Sequence, residues 1–191
     1  MRQKKRKAVF LDRDGIINQK PQEHDYVKSW KEFKFIPGIE ELIKAAKEEG
    51  YLVIVITNQR GIARGLVSRE VVEKIHEKMV ASLKKKGAII DAIYYCPHDI
   101  KDHCNCRKPK PGMILQAAKE FNIDLKNSIV IGDSESDIMA GKAVGCKTFL
   151  ANPDSINSSP TSPLYVKKIL SMFFAAIEKD SRGKSRTSKD V

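Results

Sequence analysis

Five short apolar runs alternate with longer stretches in which apolar residues recur every three or four positions. Ala8–Leu11 is a continuous apolar run that stops at Asp12. It predicts a buried strand. Residues 51–56 predict a second strand, β-branched and apolar on both faces. A third falls within 89–95, a fourth at 128–131 and a fifth at Lys147–Leu150. After Pro37-Gly38, the apolar Ile39, Leu42, Ile43 and Ala46 share one helical face, and Gly50 stops the helix at about residue 49. Ser68 caps a second helix over 68–86, whose Val72, Ile75, Met79 and Leu83 fall at steps of three and four. Helices over 111–121, 135–144 and 164–178 follow. Residues 19–35 show no period and read as a loop, and the Ser-, Pro- and Asn-rich 152–163 as a surface loop.

Strands alternating with helices imply parallel crossovers. The expected fold is therefore α/β, an open, mainly parallel, Rossmann-like sheet with helices on both faces. Such sheets carry their sites at the carboxyl ends of the strands. Asp12, Thr57, Cys96 and Asp133 all fall at those ends.

The length of 191 residues predicts one domain, and 41% hydrophobic residues suffice for a real core. No apolar run approaches the roughly 20 residues that a bilayer requires. The basic start is followed by only four apolar residues, too few for a signal peptide. A cytoplasmic location is expected. The net charge of +11 sits mostly at the ends, with five basic groups in residues 1–7 and five basic against two acidic in 179–191. The expected organisation is a basic tail at 1–7, one folded domain at 8–178 and a disordered basic tail at 179–191. A nucleic-acid-binding body would carry its basic stripe on the fold, so no specific nucleic acid partner is expected. Neither is a membrane partner, and a monomer is anticipated.

Asp12-Arg13-Asp14-Gly15 places two acids in alternation at a strand end, where Gly15 permits a sharp turn. Gly132-Asp133 follows another strand, with Asp137 one helical turn on. A parallel sheet can join these acids, and an oxygen-rich site with retained waters suits Mg2+. The plainer alternative is that each acid caps the helix after it.

Cys96-Pro97-His98 and Cys104-Asn105-Cys106 place three of the four cysteines within eleven residues. In a cytosolic chain this pattern argues for metal rather than disulfides. Cys96, His98, Cys104 and Cys106 would complete a tetrahedral Zn2+ site with no open position, hence a structural one. His103 is the competing imidazole, and reduced thiols in a mobile loop are the metal-free alternative. Cys146 stands alone beside the fifth strand and is expected in the core.

Four blocks, Phe10-Leu11-Asp12-Arg13-Asp14-Gly15, Thr57-Asn58-Gln59, Arg107-Lys108-Pro109 and Gly132-Asp133 through Asp137, occur in this order. On these blocks, residues 8–150 resemble the haloacid dehalogenase-like phosphatases. The resemblance implies that Asp12 is the nucleophile and forms an aspartyl-phosphate. It implies that Asp14 is the general acid and base. Thr57 and Lys108 would hold the phosphoryl group and neutralise its charge. Mg2+ would lie between Asp12, the main-chain carbonyl of Asp14 and Asp133, with Asp137 behind them. Many relatives insert a cap domain. Here the 45 positions from Asp12 to Thr57 and the 51 from Thr57 to Lys108 are filled by expected elements, so no cap is expected.

The Cys/His segment is similar to two capless, zinc-containing groups, the D-glycero-D-manno-heptose 1,7-bisphosphate 7-phosphatases and the histidinol-phosphate phosphatases. Thr57-Asn58-Gln59-Arg60-Gly61-Ile62-Ala63-Arg64-Gly65, Cys106 through Met113, and Tyr26-Val27 look like the heptose group. The five-residue spacer between His98 and Cys104 is closer to the histidinol group, and Ser134 stands where heptose enzymes often have Lys. A small phosphorylated sugar is the implied substrate. Arg107, Arg64, Asn58, Gln59 and Tyr26 are the substrate-binding candidates; for Asn58 and Gln59, orienting the loop is the alternative. Polynucleotide 3′-phosphatases share the second and third blocks but generally lack the Cys/His cluster. A zinc-stabilised nucleic-acid-binding module would leave Asp12, Asp14 and Asp133 unexplained.

Overall fold

The computed structural model describes residues 4–22 and 25–186, with side chains through Glu178. Five strands, β1 (Ala8–Leu11), β2 (Leu52–Asn58), β3 (Ala92–Cys96), β4 (Ile129–Gly132) and β5 (Lys147–Leu150), form one sheet in the order β3-β2-β1-β4-β5. Every pairing is parallel. Successive side chains of a strand point to opposite faces. Val9, Leu11, Val53, Val55, Ile129 and Ile131 thus meet α1 (Ile39–Glu48), α2 (Arg69–Lys85) and α6 (Pro163–Arg186) on one face. Ala8, Phe10, Ile54, Ile56 and Val130 meet α3 (Gly112–Phe121) and α4 (Glu135–Lys142) on the other. This is the open α/β sheet that the apolar periodicity predicts. Cys146 is buried in the second cluster, as expected.

Several boundaries differ from the sequence reading, each for a local reason. β2 continues to Asn58 because Thr57 and Asn58 pair with Tyr95 and Cys96 of β3. β3 starts within the expected range, where Asp91 N meets the Val53 carbonyl (2.8 Å) and the Asp91 carboxylate accepts from Val53 N (2.7 Å) and pairs with Lys47 (2.8 Å), and it runs one residue past that range to Cys96. The 152–163 segment contains a single helical turn, α5 (Pro153–Ile156), with Asn152 and Ser155 in a reciprocal cap. α6 keeps a helical backbone to Arg186, eight residues past the expected limit at Glu178. At the other end, Arg6 is not free tail. Its N–H donates to the Asn122 carbonyl (3.0 Å), and its carbonyl accepts from Asp124 N (2.7 Å). Residues 1–3 and 187–191 lie outside the described residues. Among the described residues, no segment forms a cap domain between these elements, and no helix is long and apolar enough to cross a membrane.

Strand order reverses beside β1. The chain goes from β1 to β2 and β3 on one side, then returns to β4 on the other. Such a switch opens a crevice at the carboxyl ends of the two strands that part. Here those ends deliver Asp12 and Asp133.

Candidate active site

Asp12 follows β1 and keeps its N–H on the Ile131 carbonyl (3.0 Å), so its backbone still runs with the sheet. Its Oδ1 accepts from Arg13 N (2.7 Å) and pairs with Lys108 Nζ (2.9 Å). Among the described residues, this leaves Oδ2 for the crevice. Lys108 is buried, and its Nζ also meets Asp137 Oδ1 (2.5 Å) and the Ile56 carbonyl (2.8 Å). Asp137 Oδ2 accepts from Ser134 N (3.1 Å) and Oγ (2.7 Å), which caps α4. Both Asp137 oxygens are therefore engaged in holding Lys108 and the helix start. Gly15 is required where the chain turns under Asp133. Its φ is +95°, and a Cβ there would fall on the Asp133 carboxylate.

Asp12, Asp133 and Asp137 each offer a carboxylate oxygen within 4.8 Å of the others. Burial is the main force that lifts the Asp12 carboxyl to about 7; Lys108 opposes it, while Asp137, Asp133 and Asp14 add to it. Burial also lifts Asp133, partly offset by Lys20. Lys108 goes the other way from what burial alone would do, because Asp12 and Asp137 hold it charged. A buried carboxylate cluster of this kind, made of hard oxygens with excess negative charge, fits a divalent cation such as Mg2+.

Asp14 has turned from that cluster. Arg13 Nη2 lies 3.0 Å from both of its oxygens, Asn18 Nδ2 2.9 Å from Oδ1 and Gln59 Nε2 3.0 Å from Oδ2. Burial pushes the Asp14 carboxyl up, but the Arg13 charge and these hydrogen bonds outweigh it and hold it below the usual range. Asp14 thus rests as an ionised acceptor. Arg13 is itself buried, and its Nη1 lies 3.1 Å from His76 Nε2 on α2. A guanidinium can only donate, so that nitrogen accepts and the ring is neutral. Burial first, then the Arg13 charge, drive His76 from 6.5 down to about 3. Between those values the unfolded chain binds a proton that the folded chain refuses, so stability falls as pH drops through the window. His76→Gln keeps an acceptor but has nothing to protonate. Its urea midpoint should fall less between about pH 7 and about pH 4.5 than that of the parent; equal falls would contradict this.

The other candidates divide by what they touch. Asn58 donates to the Lys108 carbonyl and accepts from Lys108 N, both at 3.1 Å. Both ends of its amide hold the lysine's backbone, and Asn58 also lines both depressions of the site. Gln59 donates to Asp14 and to Thr57 Oγ1 (2.8 Å), and Thr57 is buried beside it. Tyr26, Lys20, Arg13, Asp14, Asn58 and Gln59 line a cleft of about 440 Å3. Arg64 Nη1 reaches the Tyr26 hydroxyl (3.3 Å). A second depression of about 380 Å3, sharing Asn58, is lined by Arg107, Lys108, His103 and Lys110. Three contributors were not singled out from the sequence. Lys20 pairs with Asp133, His76 backs Arg13, and Tyr165 of α6 donates to the Gly15 carbonyl (3.2 Å) and to the Ala151 carbonyl. Each acts across a long stretch of chain, and none stands in a motif.

Beyond β3, the Sγ atoms of Cys96, Cys104 and Cys106 and His98 Nδ1 close on one point. The sulfurs are 3.3–3.6 Å apart, and His98 Nδ1 is 3.2 Å from Cys106 Sγ and 3.6 Å from Cys96 Sγ. Tetrahedral Zn–S bonds of about 2.3 Å put ligand atoms roughly 3.5–3.8 Å apart, so the quartet fits zinc. His103 stays outside the quartet. Arg107 follows directly, and its Nη1 donates to the His98 carbonyl (3.4 Å).

The site is thus a carboxylate at the switch point of a parallel α/β sheet, with a buried lysine on it and a second acid behind it. The chain belongs to the haloacid dehalogenase-like hydrolases, whose family model matches residues 2–145. It is similar to the D-glycero-beta-D-manno-heptose-1,7-bisphosphate 7-phosphatase of Pasteurella multocida, at 45% identity over 74% of this chain and 79% of the relative. The protein of that name from Helicobacter pylori strain J99 is 44% identical over 87% of this chain and 94% of its own. Among solved structures, the D,D-heptose 1.7-bisphosphate phosphatase of B. bronchiseptica, complexed with magnesium and phosphate, superposes with a TM-score of 0.71 at 39% identity. That match covers 75% of this chain and 79% of the other.

Proposed function

We propose that this protein is a Mg2+-dependent phosphatase that removes the 7-phosphate of D-glycero-D-manno-heptose 1,7-bisphosphate. The observation that carries the chemistry is Asp12, with Oδ1 held by Lys108 and Arg13 N and Oδ2 left toward the crevice. The substrate follows from curated relatives of 44–45% identity that span most of the chain.

Asp12, Asp133 and the main-chain carbonyl of Asp14 would hold Mg2+, which neutralises phosphate charge and lets an anionic nucleophile approach. Asp12 Oδ2 attacks phosphorus as the bond to the sugar oxygen breaks, giving an aspartyl-phosphate and an alkoxide. Lys108 and the Thr57 hydroxyl stabilise the transferring phosphoryl group. Asp14 protonates the alkoxide and then takes a proton from the water that releases phosphate. It rests ionised, so it must first gain a proton; an anionic substrate beside it favours that form. The two depressions flanking Asn58 suit two anionic ends of one substrate, with Arg64 beside one through Tyr26 and Arg107 lining the other. Cys96, His98, Cys104 and Cys106 would hold a structural Zn2+ that carries Arg107. The cluster of three cysteines and one histidine, a pattern that favours metal over disulfides in a reducing compartment, supports a cytoplasmic location.

The test is phosphate release with Mg2+ from the heptose bisphosphate and from histidinol phosphate. The bisphosphate should give a kcat/KM higher by about 100-fold or more. Preference for histidinol phosphate would reverse the substrate assignment.

A further inference from the structure

The loop after β1 brings a second cation to the acid cluster. Lys20 Nζ lies 2.6 Å from Asp133 Oδ2, yet 59% of its side chain is exposed, against 3% for Lys108. Lys108 is fixed by two carboxylates and a carbonyl. Lys20 pairs with Asp133 and lines the cleft together with Tyr26 and Gln59. A lysine ammonium is a point charge on a flexible stem, and an exposed pair of this kind is readily exchanged. Asp133 is also a candidate ligand for Mg2+. An ion bound through Asp133 at about 2.1 Å would take the charge that now holds the ammonium. The ammonium would then stand free of Asp133 beside a cleft whose own acids, Asp14 and Asp25, are paired with Arg13 and Lys28. The negative charge that next enters the cleft is the substrate's.

We propose that Lys20 is a substrate-binding residue which covers Asp133 in the metal-free protein and turns to a phosphate oxygen once Mg2+ is bound. The proposal rests on the phosphatase reading of the site. It gives Lys20 two effects of opposite sign. The lysine competes with the metal and assists the phosphorylated substrate. A lysine that merely tied down its loop would, when lost, weaken both.

Lys20→Gln separates these roles. In calorimetric titration with MgCl2 alone, the variant should bind the ion roughly 2- to 5-fold more tightly, because no ammonium has to be displaced. With saturating Mg2+, its KM for the heptose bisphosphate should rise about 10-fold, with kcat held within about 3-fold. Mg2+ binding that is unchanged or weaker, or a KM that does not move, overturns the proposal. If the parent protein releases no phosphate from any phosphomonoester, the phosphatase reading fails on its own, and the MgCl2 titration still decides whether Lys20 guards Asp133.

Discussion

Asp12→Asn should lower kcat by about 10^4-fold or more while leaving the fold intact. Asparagine has nearly the same shape, and its amide oxygen can still accept from Arg13 N and Lys108. What it lacks is a charged oxygen able to bond to phosphorus. The fold should gain from the change in the metal-free protein. Burial and the neighbouring acids lift the Asp12 carboxyl to about 7. Above its unfolded value of 3.8, the folded state therefore holds a proton that the unfolded chain gives up, and stability falls as pH rises through 7. Removing the charge removes that penalty. Near pH 8 without metal, Asp12→Asn should melt no lower than the parent. Near-normal turnover would refute the nucleophile, and gross unfolding would refute the view that Asp12 is kept for chemistry.

Loss of the zinc site should act on substrate binding more than on the chemical step. Lys108 has anchors of its own, Asn58 on its backbone and Asp12, Asp137 and Ile56 on its side chain. Arg107 rests on the carbonyl of His98, itself one of the four candidate ligands. Burial pushes the Cys96 thiol up, so without metal this sulfur keeps a proton that zinc would expel. Cys104→Ser, or exhaustive chelation followed by return of Mg2+ alone, should raise KM for the bisphosphate about 10-fold through Arg107, with kcat changed by about 3-fold or less. A protein shown by elemental analysis to lack zinc, yet with unchanged KM, would contradict this.

The parts legible in the sequence were those whose signal is local. Apolar runs such as Ala8–Leu11 mark strands wherever the sheet is covered on both faces. The Cys-x-His and Cys-x-Cys pairs name their own geometry at short range, and the structure brings those four side chains to one point. Asp12 and Asp133 were visible as acids that end apolar strands. What escaped depends on the path of the chain. Nothing near Lys20 announces a partner 113 positions away, and nothing near His76 announces Arg13. The extension of β2 through Asn58 was hidden because Thr57 and Asn58 are polar; their strand geometry comes from β3. That same extension brings the Asn58 amide onto the main chain of Lys108. Asp14 was readable as an acid but not as one held ionised by Arg13, since that depends on a buried guanidinium with His76 behind it.

The most direct test of the central claim is a 31P NMR time course of D-glycero-D-manno-heptose 1,7-bisphosphate with the protein and Mg2+. The 7-phosphate resonance should disappear as inorganic phosphate grows, the 1-phosphate should persist, and chelating Mg2+ should stop the reaction. Loss of the 1-phosphate first, or release that continues without a divalent ion, would contradict the account.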